Sequence, residues 1–280
     1  MSQNNNSNNL LIKKFQELSK KNESALICYA LAGYPDIKTT KDIISTMVDA
    51  GADIIEIGIP FSDPIADGPT IQEASYNALI KGITPPKSLD IIHDIKKIYP
   101  QLPLVAMTYS NILVRVGFSK FMQQAKQCGI DGFILADMPI EESEEYIKEA
   151  SNLGLATIFM VSPNTKEQRI KSIASKSSGF LYVVSVIGIT GMRESFEKYT
   201  ANNITRVKEI IANSGIPVAV GFGISNPSHC KYMINAGADA IIVASAIINI
   251  IEHYREDKKR MLQELQSFVL SMKNACSHYR

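Results

Sequence analysis

Residues 50–57, AGADIIEI, decide the fold, because the same pattern returns as CGIDGFIL at residues 128–135 and as AGADAIIV at residues 236–243. In each stretch a glycine and an aspartate come just before an apolar run of strand length. Glycine at this place can supply the left-handed residue that ends a helix before the next strand begins. The three stretches therefore predict repeated units in which a helix, a tight turn and a buried strand follow one another.

Apolar runs and amphipathic stretches alternate in the same way along the rest of the chain. Continuous apolar runs joined by helices are typical of parallel strands that are covered on both faces. We predict strands at residues 25–31, 53–57, 104–108, 132–135, 156–160, 180–184, 218–220 and 240–243. We predict helices at residues 10–20, 39–50, 71–81, 88–98, 119–127, 141–152, 166–175, 204–213, 227–236, 246–254 and 257–275.

Eight strand–helix units predict an α/β fold, with a single (β/α)₈ or TIM barrel over residues 10–280. The helices at residues 10–20 and 257–275 are additional to the eight units, one N-terminal and one C-terminal. The alternative fold is a doubly wound open sheet, but no G-x-G-x-x-G, its commonest fingerprint, follows the first strand. Residues 1–9 are rich in asparagine and predict a disordered tail ahead of the barrel.

Charge and composition argue against several classes of protein. The formal net charge is +1, so no basic or acidic field points to nucleic acid or to an anionic membrane surface. No apolar run approaches the roughly 20 residues of a membrane span, and the first residues lack the apolar core of a secretory signal. The four cysteines form no C-x-x-C pair, so we expect no metal site and no disulfide framework. We expect a cytoplasmic protein, or one of the plastid stroma if it is organelle-encoded.

Glu56 interrupts the apolar strand predicted at residues 53–57. Because side chains alternate along a strand, Glu56 shares one face with Ile54. If this face points into the barrel near its C-terminal mouth, Glu56 lies where barrel enzymes place catalytic groups, and burial raises its pKa toward neutrality. Such a group can both give and take protons. The alternative is a structural glutamate that is paired with a lysine or arginine.

The loop after this strand carries two further acids, Asp63 and Asp67, among three prolines and a glycine. Proline fixes φ, so a loop of this kind can hold a carboxylate in place. The alternative is an acidic turn that is simply solvated.

Small residues follow the sixth, seventh and eighth strands. Barrels often bind phosphate at the last of these loops, with N–H donors from a helix N-terminus, and glycine lets the backbone approach the anion. Ordinary turns between strands and helices are the alternative. The predicted phosphate-binding residues are Gly188 and Gly191, then Gly223, then Ala244 and Ser245.

The stretch EIGIPFSDPIADGPTIQ at residues 56–72 closely resembles the signature of the tryptophan synthase α chains. The resemblance continues through YSN at 109–111, ADMP at 136–139, SVIGITG at 185–191 and GFGIS at 221–225. It covers essentially the whole chain after the asparagine-rich tail. Two positions depart from the family: Ala244 stands where glycine is usual, and Val186 stands where some relatives have arginine.

This resemblance implies a retro-aldol cleavage of indole-3-glycerol phosphate into indole and glyceraldehyde 3-phosphate. Glu56 would transfer protons, and Asp67 would contact the indole nitrogen and stabilise the positive charge that develops there. No cofactor is implied for this chain, and pyridoxal phosphate is expected only in a β subunit, the partner in an α₂β₂ complex. The loop with Thr190 is expected to be a mobile lid. The residues expected to line the indole pocket, with plain core packing as the alternative, are Tyr29, Tyr109, Tyr182 and Phe222.

Three other functions stay open at this point. One is another phosphate-binding barrel enzyme of aromatic or histidine biosynthesis, against which the loop at residues 56–72 argues. The second is a non-catalytic barrel that only regulates a partner. Loss of Glu56 or Asp67 would have favoured this function, but both residues are present. The third is a free-standing lyase that releases indole without a β subunit.

Overall fold

Eight parallel strands pair in chain order and close into a barrel. A computed structural model describes residues 8–185, 193–221 and 223–277. The predicted (β/α)₈ barrel is confirmed, with small shifts at the ends of individual strands. The strands are β1 (Ala25–Leu31), β2 (Ile54–Gly58), β3 (Leu104–Thr108), β4 (Gly132–Leu135), β5 (Ala156–Val161), β6 (Leu181–Val184), β7 (Val218–Gly221) and β8 (Ala240–Val243).

Helices cover the outside of the barrel, and both predicted extra helices are confirmed as the first and the last. No helix in the described ranges is both long enough and apolar enough to cross a membrane. The helices are α1 (Leu10–Lys20), α2 (Ile37–Asp49), α3 (Pro69–Ile80), α4 (Pro85–Ile98), α5 (Ser110–Val116), α6 (Phe118–Cys128), α7 (Glu144–Leu153), α8 (Glu167–Lys176), α9 (Arg193–Ile210), α10 (Pro227–Asn235), α11 (Ser245–His253) and α12 (Lys258–Cys276).

Two helical segments differ from the prediction. α5 is an additional helix whose first residue, Ser110, is held by Asp137 from the loop after β4. The Asp137 carboxylate accepts the Ser110 N–H at 2.7 Å and the Ser110 hydroxyl at 2.8 Å. A capping partner so far along the chain leaves no local signal. α9 starts at Arg193 and not at residue 204. The prediction missed the first part of this helix because residues 193–203 carry few apolar side chains at helical spacing.

The glycines of the three repeated stretches have the predicted left-handed backbone, with φ of 101° at Gly51, 100° at Gly129 and 105° at Gly237. Space is a second reason for glycine here. A Cβ at Gly129 would lie 2.4 Å from Cγ of Lys96, whose side chain crosses the turn. The turn therefore needs a residue with free φ and without a side chain.

The aspartates of these stretches bind the bottom of the barrel together. Each carboxylate accepts a backbone N–H near the start of the preceding strand and forms an ion pair with a lysine from a helix. The N–O distances are all between 2.8 and 3.1 Å. We call these three contacts the aspartate latches, and their members are Leu26–Asp53–Lys273, Leu104–Asp131–Lys96 and Val218–Asp239–Lys208.

The position before β6 carries an uncharged equivalent. The Oγ atom of Ser178 accepts the N–H of Thr157, in β5, at 2.9 Å. With this serine latch, every odd-numbered strand is bonded near its start to a side chain that lies just before the next even-numbered strand. The bottom of the barrel is therefore closed in four pairs of strands.

Asn9, which the sequence places in the expected tail, belongs to the folded part of the chain. Its side chain accepts the N–H groups of Leu11 and Ile12 and so caps α1. Its amide also donates to the carbonyl oxygens of Asp131 and Gly154, at 2.7 and 3.0 Å. These long-range bonds are invisible in a run of asparagines, which is why composition alone includes Asn9 in the tail. The tail expected for residues 1–7 lies outside the described residues.

Candidate active site

Glu56 points into a cavity of about 220 Å³ at the C-terminal mouth of the barrel. Its neighbour across the sheet is Tyr29 of β1, and β3, β6 and β8 contribute further lining residues. Asp67, from the loop after β2, lines the same cavity. The other lining residues that matter here are Met107, Tyr182, Ile242, Gly223, Ala244 and Ser245.

The Glu56 carboxyl is only 1% exposed. Among the residues that the structure describes, no lysine or arginine forms an ion pair with it, and its Oε2 atom has no hydrogen-bond partner. Burial, with a smaller contribution from the negative charge of Asp67, raises the pKa of Glu56 to about 8. The described part of the chain therefore shows no cation that would make Glu56 a paired structural glutamate. The group is largely protonated near neutral pH.

Asp67 is held by Tyr109, which lies at the end of β3. The Tyr109 hydroxyl donates to Asp67 Oδ2 at 2.9 Å and accepts the N–H of Ala66 at 3.1 Å. Burial raises the pKa of the Asp67 carboxyl, and the hydrogen bond from Tyr109 opposes that rise. The two carboxyl groups of the cavity thus differ, because Asp67 Oδ2 has a hydrogen-bond donor, whereas Glu56 Oε2 has none among the described residues.

The loop that carries Asp67 is fixed at both ends. At its start, the Ser75 hydroxyl accepts the N–H of Phe61 at 3.1 Å and donates to the Phe61 carbonyl at 3.0 Å. The Phe61 ring stacks on Tyr109, with ring centroids 5.0 Å apart. At its end, the Gln72 amide donates to the Asp67 carbonyl at 2.8 Å. This is an organised loop, as its prolines predict, and not a simple solvated turn.

The remaining side of the cavity is formed by backbone groups that suit an anion. α11 begins at Ser245, and Ala244 before it makes no side-chain cap. The first N–H groups of a helix have no acceptor within the helix, so they are available to a ligand. Ala244 has φ of −122°, a value open to any residue, so alanine in place of the usual glycine imposes no strain. Gly223 has φ of 73°, which does favour glycine.

The aromatic residues separate into two groups. Tyr29 and Tyr182 line the cavity, whereas Tyr109 contacts Asp67 from a neighbouring smaller cavity and does not line this one. Sequence reasoning missed the cavity residues Met107 and Ile242. The only sequence signal for them is that Met107 lies on β3, next to the strand of Glu56, and Ile242 on β8, next to the strand of Tyr29. The predicted site residues that lie outside the described residues are Gly188, Thr190, Gly191 and Phe222, together with Val186.

Other parts of the molecule lack this chemistry. A larger groove of about 1020 Å³ lies at the opposite end of the barrel, between α1 and the end of α9, and contains neither Glu56 nor Asp67. Across the described ranges, no group of three or more His, Cys, Asp or Glu side chains could hold a metal ion. The mouth cavity is therefore the best candidate for the active site.

The barrel and its mouth define a class: a (β/α)₈ enzyme that moves protons on a small, mostly apolar substrate with an anionic group. The family model described as tryptophan synthase alpha chain matches residues 15–277. The tryptophan synthase alpha chain of Methanosarcina barkeri is 43% identical over 249 residues, which is 89% of this chain and 92% of the relative. This chain belongs to the tryptophan synthase alpha chain family.

Solved structures agree with this assignment. The tryptophan synthase alpha subunit of Legionella pneumophila superposes with a TM-score of 0.87 at 32% identity and covers 96% of this chain and 98% of its own. A chain from the tryptophan synthase α₂β₂ complex of Pyrococcus furiosus gives 0.82 at 36% identity, over 90% of this chain and 98% of its own. Membership of this family sets aside the other phosphate-binding barrel enzymes.

Proposed function

We propose that this chain is the α subunit of a tryptophan synthase and cleaves indole-3-glycerol phosphate into indole and glyceraldehyde 3-phosphate. The observation that carries the proposal is that Glu56, which is buried and meets no cation in the described part of the chain, shares one cavity with Asp67 and with the first residue of α11. Family membership supports the choice of substrate.

Glu56 is the proposed proton-transfer group. As a neutral acid it gives its proton to C3 of the indole ring, which produces a positively charged indolenine. The resulting carboxylate then takes the proton of the C3′ hydroxyl while the C3–C3′ bond breaks and its electron pair returns to the ring. The products are indole and the aldehyde, and Glu56 is protonated again. A pKa of about 8 suits both steps, because both the protonated and the ionised carboxyl are accessible near neutral pH.

Asp67 is the proposed counter-charge to the indole nitrogen. Positive charge develops on that nitrogen when C3 is protonated, and a carboxylate that is already oriented stabilises it without reorganisation. The hydrogen bond from Tyr109 favours the ionised form of Asp67 that this role needs.

The proposed phosphate position is the N-terminus of α11, with Ser245, Ala244 and Gly223 around it. The N–H groups of the first turn attract an anion through both hydrogen bonding and the helix dipole. The apolar indole ring would then lie against Tyr29, Tyr182 and Met107. Phosphate binding by Gly188 and Gly191, an indole contact from Phe222 and a lid at Thr190 stay predictions.

The proposed partner is a tryptophan synthase β subunit in an α₂β₂ complex, the assembly named for the similar P. furiosus protein. Two large apolar side chains are exposed in the segments that follow β2 and β3, Ile65 in the Asp67 loop at 74% and Val114 in α5 at 60%. Docking there would cover them and retain indole, which could otherwise diffuse away. Co-elution with the β subunit of the same source tests this part. Pyridoxal phosphate in the β subunit alone and a cytoplasmic location stay predictions.

Replacement of Glu56 tests the lyase function. We expect Glu56→Gln to reduce kcat for indole formation by about 100-fold or more, because the amide cannot transfer the proton. Glu145→Gln is the matched control, since Glu145 is an exposed glutamate on α7. Indole release from indole-3-glycerol phosphate is the measurement, with circular dichroism to verify the fold. If Glu56→Gln kept more than about a tenth of kcat, a loss far below that of an acid–base group, the proposed function would be wrong.

A further inference from the structure

The Tyr109 hydroxyl makes two hydrogen bonds to the loop that carries Asp67. It accepts the Ala66 N–H at 3.1 Å and donates to Asp67 Oδ2 at 2.9 Å. Its ring stacks on Phe61, with an angle of 22° between the two planes. One side chain therefore contacts the Asp67 loop near its beginning and at its end.

Tyr109 is itself fixed. It is 3% exposed, and the next residue, Ser110, is bound through its N–H and its hydroxyl by the Asp137 carboxylate, at 2.7 and 2.8 Å. The backbone that carries Tyr109 is thus anchored to the loop after β4. A rigid donor of this kind can hold the carboxylate that it contacts in one orientation.

We propose that Tyr109 is the positioning residue for Asp67. Through two hydrogen bonds it fixes the Asp67 loop and leaves the second carboxylate oxygen, Oδ1, for the substrate. This inference rests on the proposed function, in which Asp67 is the counter-charge to the indole nitrogen. A counter-charge is effective only if it is oriented before the positive charge develops, so the hydroxyl acts on the rate of cleavage more than on substrate affinity.

The charges around Asp67 make this role visible in a pH profile. Among the described residues, the titratable groups that face Asp67 are Tyr29, Glu56, Tyr109 and Tyr182. Burial raises the pKa of Asp67, and the hydrogen bond from Tyr109 opposes this rise. If the Tyr109 hydroxyl is removed, the pKa of Asp67 is therefore higher than in the wild type. The acid limit of the pH range over which Asp67 is ionised and Glu56 is protonated then moves to higher pH, so this range becomes narrower.

Tyr109→Phe is the test, because it removes the hydroxyl and keeps the ring on Phe61. We expect kcat for indole formation to fall by about 10-fold or more, as for loss of a hydrogen bond to a charged group. KM should stay within about 2-fold, since the effect belongs to the transition state. The bell-shaped pH profile of kcat should narrow. A purely structural residue would lower the rate and leave both limbs of the profile in place.

Tyr146→Phe is the matched control. Tyr146 is fully buried on α7, and its hydroxyl donates to the Phe133 carbonyl at 2.8 Å, outside the cavity. The variant therefore loses one buried tyrosine hydrogen bond without touching Asp67. We expect it to keep the wild-type kcat and pH limbs while its unfolding temperature falls.

Asp67→Asn, alone and combined with Tyr109→Phe, separates this inference from the proposed function. If Tyr109 acts through Asp67, the double variant loses less activity than the product of the two single losses. An Asp67→Asn variant with the wild-type kcat would overturn the role of Asp67, and the proposed mechanism with it. If Asp67→Asn is inactive while Tyr109→Phe keeps kcat and both pH limbs, only the positioning role is wrong.

Discussion

Glu56 is a carboxyl group that the protein buries at a cost in stability. In the unfolded chain it ionises near pH 4.5, whereas in the folded chain burial raises its pKa to about 8. The folded state therefore binds a proton that the unfolded state has already lost over this interval. The contribution of this bound proton to the free energy of unfolding is fully present below about pH 4.5, decreases as the pH rises, and is lost above about pH 8.

This linkage predicts the behaviour of Glu56→Gln in denaturation. The glutamine variant has no proton to lose, so its free energy of unfolding relative to the wild type should increase as the pH rises from about 4.5 to about 8. Guanidinium titrations of both proteins across this interval measure the difference. Glu145→Gln, at an exposed position, should follow the wild type in parallel. Parallel curves for Glu56→Gln as well would mean that Glu56 is not buried as a neutral acid.

The sequence predicted the position of Glu56 but left its partner undecided. A single charged residue in an apolar strand indicates a special site, and alternation along β2 puts it on the inner face. Whether a cation meets it depends on where long side chains end in space. Three lysines, Lys96, Lys208 and Lys273, end at the aspartate latches on the bottom of the barrel. The sequence alone does not reveal this separation of charges.

At the scale of elements, the helices that were predicted well are those that carry their own signals. α10 begins at a proline, Pro227, as predicted, and α6 ends in a left-handed glycine, Gly129. α3 and α4 begin at their first-turn prolines, two and three residues before the predicted starts. α5 has no such signal, because Asp137 holds its first residue from another loop. Tyr109 is the residue just before this helix, and the sequence predicted it for the indole pocket but did not predict its hydrogen bond to Asp67.

The cap of α1 gives a prediction for an element. Asn9→Ala should lower the free energy of unfolding by about 2 kcal/mol, since it removes the cap and two bonds from the amide to the bottom of the barrel. Asn8→Ala is the control, because Asn8 is exposed and its side chain accepts a hydrogen bond from Lys13 on the surface. It should change stability by less than about 0.5 kcal/mol. Equal, small losses in a urea titration would place Asn9 in the tail after all.

At the scale of the whole molecule, the order of alternating strands and helices was enough to predict a closed barrel. The sequence repeat also located the glycine turns correctly. It did not indicate the role of the aspartates, because an aspartate before a strand has several possible uses. Their acceptor role appears only when Asp53, Asp131 and Asp239 are seen at the starts of β1, β3 and β7. The serine latch could not be found from the repeat, since Ser178 does not share its pattern.

The paired closure of the barrel has a consequence for the order in which the chain assembles. In each latch, the backbone N–H bond to the side chain joins residues that are 27 positions apart in the first two pairs of strands and 21 in the last two, so this bond forms within a short segment. Circular permutants test this, with the natural ends joined by a glycine–serine linker. A chain opened in the exposed turn at residues 212–215 keeps all four of these N–H bonds within one contiguous segment, whereas one opened at residues 235–237 moves Val218 and Asp239 to opposite ends of the chain. Both openings separate Lys208 from Asp239, so the two permutants differ in the Val218–Asp239 bond. Because distant contacts form more slowly than local ones, the second permutant should refold more slowly in stopped-flow fluorescence, and equal rates would mean that the latches form only after the barrel has closed.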